Sequence, residues 1–121
     1  MIIALWIVTA LLAIAFGFAG IMKATRKRAE LAAQMPWTED VSDSQLRAIG
    51  IVEFLGAVGL ILPMALGILP WLTPLAAFGL FITMIAAAVL HVRRGEAGSL
   101  PVNIVLGLLA LLVGIGWLFQ L

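Results

Sequence analysis

The sequence predicts an all-α protein, a bundle of four transmembrane helices with an amphipathic cytoplasmic loop helix between the first two. Three observations carry this prediction. Hydrophobic residues make up 64% of the chain and charged residues 11%, against about 45–50% and 25% in soluble domains. The mean hydropathy of +1.24 excludes disorder. A water-soluble fold of 121 residues would leave too much apolar surface wet, since small domains bury only about 60–70% of what the unfolded chain exposes. The third observation is where the charges lie. Nine fall between Lys23 and Arg47, Arg93, Arg94 and Glu96 form a second cluster, and Glu53 alone sits inside an apolar run.

The clusters separate four apolar stretches, about residues 2–22, 49–69, 71–91 and 102–121. Each approaches the ~20 residues that an α-helix needs to cross a bilayer core. A membrane barrel would instead show alternation over about ten residues in at least eight strands. The first stretch lacks a basic leader, and its positive charge follows it, so it is expected to be a retained helix rather than a signal peptide. The charged loop, residues 23–47, holds Lys23, Arg26, Lys27, Arg28 and Arg47. Residues 24–35 suit a helix lying along the membrane surface, ended by Pro36, with Trp37 at the interface. Ser42 and Gln45 have the spacing of a capping box, which starts the next helix in the aqueous layer. Pro63 is expected to kink or end that helix. The connection through Pro70 and Pro74 is uncharged, whereas Arg93 and Arg94 follow the third span. Basic residues collect on the cytoplasmic side. Both termini are therefore expected to be extracytoplasmic, in a single integral domain, residues 1–121. Trp6, Trp37, Trp71 and Trp117 fall near the expected interfaces, where Trp is enriched.

Membrane helices pack through small residues that let backbones approach. The stripes run Phe16, Ala19, Gly20, Lys23; Gly50, Glu53, Gly56, Ala57, Leu60; Met84, Ala87, Ala88, His91; and Asn103, Gly107, Ala110, Gly114. Each carries one polar residue, and the four fall near the same end of the bundle. Lys23, Glu53, His91 and Asn103 are thus the candidate ligand-binding residues, with Thr83 and Arg47 in support. A lone charge in lipid costs at least about 2.5–3.5 kcal/mol, so Glu53 should be paired or protonated, with Lys23 or His91 as partner. Glu53 and His91 are the candidate catalytic pair, because a carboxylate beside an imidazole can exchange a proton. The same cluster suits capture of a hydrophobic ligand's polar head or a salt bridge that ties helices together. One His and no Cys give too few ligands for a structural zinc, and no resident cofactor is expected. The net charge of +1 offers no basic face to nucleic acid.

Phe16 with Ala19-Gly20-x-x-Lys23, Gly50-x-x-Glu53 with Gly59-Leu60-x-x-Pro63, and Met84-x-x-Ala87-x-x-x-His91, in this order, resemble the DoxX-like family of small four-helix bacterial membrane proteins. The resemblance covers nearly the whole chain, and Lys23, Glu53, Pro63 and His91 are the matching positions. It implies a subunit linked to thiosulfate oxidation with quinone as acceptor, or a partner in other membrane redox or oxidative-stress systems. Without cysteine the chain cannot relay sulfur itself. The expectation is therefore an accessory or ligand-binding protein, its ligand a quinone or lipid, its partners the lipid bilayer, a membrane redox protein or a second copy. A proton-transferring membrane enzyme and a purely structural scaffold are the alternatives, with the balance against an enzyme. Small multidrug exporters are similar in length and helix number, but their membrane carboxylate lies in the first helix, where this chain has none.

Overall fold

The computed structural model describes residues 2–120. Four helices in it are long and apolar enough to cross a membrane, and among the described residues there is no strand. The first, α1 (Ile2–Thr25), buries Thr9, Leu12, Phe16, Gly20 and Lys23 at spacings of three and four, the period of one helix face. Its other faces expose Ile3, Ile7, Leu11, Ile14 and Phe18 by 56–73%. An apolar exterior of this extent is the surface of a protein dissolved in lipid rather than water.

The loop after α1 departs from the expected continuous surface helix. The chain is extended at Lys27 and continues as a single turn, α2 (Arg28–Leu31), and then as a 3₁₀ turn, Pro36–Asp40. Leu31, the last residue of α2, is buried, at 1% exposed. Arg28 holds the fold-back by donating to the Val41 carbonyl at 2.8 Å.

Ser42 caps α3 (Asp43–Leu66) with a full capping box. Its hydroxyl accepts from the Gln45 amide at 3.1 Å, and its own amide donates to the Gln45 side chain at 3.0 Å. Pro63 does not end the helix: α3 runs through it to Leu66 and ends on Gly67 in the left-handed region. Proline removes the donor that would reach the carbonyl four residues back, here Gly59. The Thr73 hydroxyl donates to that carbonyl instead, at 2.9 Å, so the helix loses no bond by continuing.

Thr73 stands near the start of α4 (Leu72–Arg93), and α5 (Leu100–Gln120) follows a 3₁₀ turn at Ala97–Ser99. The helices form two close pairs. α1 and α3 meet backbone to backbone at Gly20 and Gly50, where an added Cβ would come within 2.5–2.7 Å of the opposite main chain. α4 and α5 meet where Gly107 faces Met84 and Gly114 faces Phe78. The pairs join one another toward the Gly67 turn. There Gly56 and Gly59 receive Leu80 and Ala76, and Gly116 receives Leu5. Trp117 belongs to this junction rather than to the membrane interface. It is 2% exposed, stacks edge-on against Trp6 at 4.7 Å and donates its indole N–H to Thr9 at 3.0 Å.

Candidate functional site

At the opposite, charged end the two pairs enclose a cavity of about 540 Å³. Ala15, Phe16, Ala19 and Lys23 of α1 and Glu53 of α3 form one wall. Met84, Ala87 and His91 of α4 with Asn103 and Leu106 of α5 form the other. Met35, Pro36 and Trp37 of the folded-back loop close the charged side. Lys23, Glu53, His91 and Asn103, singled out by the small-residue stripes, therefore line one space. Thr83 lines it too, but its hydroxyl is spent on the Gly79 carbonyl at 3.0 Å.

The Gly20–Gly50 contact explains how Lys23 meets Glu53. Each lies three residues beyond its glycine, and helical side chains lean toward their own N-terminus. On antiparallel helices those leanings converge, and Lys23 Nζ reaches Glu53 Oε1 at 2.7 Å, with the two side chains 11% and 2% exposed. The ammonium also lies 5.3 Å from the centre of the Trp37 ring, a cation–π distance. Arg47 stands outside the cavity walls. It donates to the Lys23 carbonyl at 2.7 Å, satisfying one of the last-turn carbonyls of α1.

His91 pairs with Glu96 rather than Glu53. α4 ends in a Schellman turn: Gly95 has φ +71°, the Gly95 amide donates to Val92 and the Glu96 amide to His91. That reversal brings Glu96 Oε1 to 2.9 Å from His91 Nδ1. Glu96 Oε2 accepts from Arg94 Nε at 3.1 Å, and Arg94 reaches Asp40 at 2.8 Å and Glu39 at 3.9 Å. The hydrogen bond from His91, followed by that from Arg94, holds the Glu96 carboxyl below its usual range against the opposing effect of burial. Bonds to Asp40 and Glu96 raise Arg94. These charges tie the loop to the end of α4.

Sequence reasoning missed Glu96, which looked like part of a topology-setting cluster. The signal was the glycine before it, a helix-ending residue that folds the next side chain back. Among the described residues the polar contact of the Asn103 side chain is a long one, 3.9 Å from its amide nitrogen to Met84 Sδ. Among the described residues no group of three or more His, Asp or Glu side chains is placed to hold a metal ion.

No curated protein and no solved structure matches the chain. The sequence pattern of the DoxX-like family matches residues 7–113, a stretch that contains Lys23, Glu53, His91 and Asn103 and all but the ends of the four spans. This multi-pass membrane protein belongs to the DoxX-like family.

Proposed function

We propose that the protein is an accessory, hydrophobic-ligand-binding component of a membrane redox or stress pathway, with a quinone or lipid as ligand. The cavity carries this reading. Its ~540 Å³ falls within the roughly 300–1,000 Å³ of small-molecule sites, and its walls are apolar apart from a few convergent polar groups. The placement of those groups at the charged end fits a ligand with its head there and its apolar body among the helices. By the positive-inside rule that end faces the cytoplasm of an inner membrane, with both termini on the other side.

Binding is favoured over proton-transfer catalysis by the pairing. Glu53 is held by Lys23 and His91 by Glu96, and among the described residues no hydrogen bond joins the two candidate catalytic groups. The test is titration of the purified protein in lipid nanodiscs with decylubiquinone, read by quenching of Trp37, which is identified by loss of signal in Trp37→Phe. Saturable quenching that Ala87→Phe abolishes by filling the cavity is the expected result. Linear, unsaturable quenching, or identical binding in Ala87→Phe, overturns the reading.

A further inference from the structure

Of the polar side chains on the cavity wall, Lys23 and Glu53 satisfy each other. His91 does not finish its bonding so simply. Its Nδ1 is engaged at 2.9 Å by Glu96, a carboxylate kept ionised by its bonds to His91 and Arg94. An ionised carboxylate only accepts, so Nδ1 carries the proton that it receives. In the neutral ring Nε2 is then left as a bare acceptor. Among the described residues Nε2 makes no hydrogen bond. No fully enclosed side-chain nitrogen or oxygen lacks a partner among the described residues, so Nε2 has open space beside it, although His91 as a residue is only 7% exposed. His91 lines the cavity. Asn103, on the same wall, adds a carboxamide whose one contact is a long one to sulfur.

We infer that the cavity selects an apolar molecule whose head is a hydroxyl donor, such as a hydroquinone or a glyceride, with Nε2 of neutral His91 accepting from that hydroxyl. This rests on the ligand-binding reading above and names the atom that reads the ligand. A head that only accepts, such as the carbonyl of an oxidised quinone, finds no donor at Nε2 in the neutral ring. The charged groups around the ring are Glu96 and Arg94 beside it, Asp40 and Glu39 beyond Arg94, and the Lys23–Glu53 pair on the other wall. Glu96 acts as a positioning residue that fixes the tautomer.

Because the chain contains one histidine, its ¹⁵N-imidazole spectrum reports His91 alone. At a pH where that spectrum shows a neutral ring, decylubiquinol, decylubiquinone and monoolein are titrated into nanodiscs holding the wild type, His91→Phe and, as a control away from the cavity wall, Gly79→Ala, where nothing lies within 4 Å of the added Cβ. The hydroxyl-bearing probes are expected to bind about tenfold tighter than decylubiquinone and to shift the Nε2 resonance. His91→Phe is expected to erase the preference, and Gly79→Ala to keep it. Decylubiquinol binding without monoolein binding identifies a hydroquinone, and the converse a glyceride; either supports the inference. A ring protonated on Nε2 in the neutral form, or a preference that survives in His91→Phe, overturns this contact alone. No saturable binding of any probe to the wild type overturns the ligand reading and this contact together.

Discussion

The Thr73 hydroxyl donates at 2.9 Å to the carbonyl of Gly59, the acceptor that Pro63 leaves without a helical donor. One bond thus repairs α3 and fastens it to α4. Thr73→Val should orphan that buried carbonyl at a cost of about 1–3 kcal/mol. In a Pro63→Ala background the new amide can serve Gly59, so the same substitution should cost less than half as much. Unfolding in mixed dodecyl sulfate micelles across the four-member cycle measures the coupling. Equal costs in both backgrounds would contradict the repair.

Gly50→Ala should force α1 away from α3, because its Cβ would meet the Ala24 amide and the Gly20 carbonyl at 2.5 and 2.7 Å. Main chain cannot rotate aside as a side chain can. A loss of about 1–3 kcal/mol is expected, with weaker cross-linking between cysteines introduced along the two helices. The same substitution at Gly79, where nothing lies within 4 Å of an added Cβ, is the control.

Breaking the Lys23–Glu53 pair on one side should cost more than removing both charges. Lys23→Met leaves a buried carboxylate alone, which is worth about 3–5 kcal/mol in comparable sites. Lys23→Met/Glu53→Gln should recover a large part of that loss. The same micelle unfolding experiment decides it, and additive single costs would show that the charges are not coupled.

Acid should loosen the charged end. The Glu96 carboxyl sits below its ordinary range in the folded protein, so its contribution to stability is complete above the unfolded carboxylate value. That contribution is lost as pH falls through the lowered native one. The thermal midpoint of the wild type should drop across that acid window. Glu96→Gln should be less stable above it and should show a shallower drop within it. Parallel curves for the two proteins would remove Glu96 from the account.

Much of this structure is legible in the residues taken one helix at a time. The four spans, the Ser42 capping box and the stripes that bring Gly20 against Gly50 all follow from period and residue size. What depends on two elements at once was harder to read. Pro63 looks like a helix end until Thr73 is known to stand opposite, and Trp117 looks interfacial until Thr9 offers its hydroxyl oxygen. The loop reads as a helix because local propensity says nothing of the bond from Arg28 to the Val41 carbonyl that folds it back. The Lys23–Glu53 pair was among the partners anticipated. The His91–Glu96 pair was hidden because it is made by a helix-ending turn rather than by a helix face.

Building the bundle from two pairs joined near one end gives the protein the mechanics of a clothes peg. The pivot lies around Thr73 and Gly59, and the jaws lie at His91 and Lys23. From Thr73 to His91 is 18 residues of one helix, about 27 Å at 1.5 Å per residue. A tilt of about 5° at the pivot therefore moves the jaw by about 2 Å over that length, more than the length of a carbon–carbon bond. Capacity in such a frame is set by leverage. A single methyl added where Ala76 meets Gly59 would be felt in the room available to a guest on the far side of the membrane.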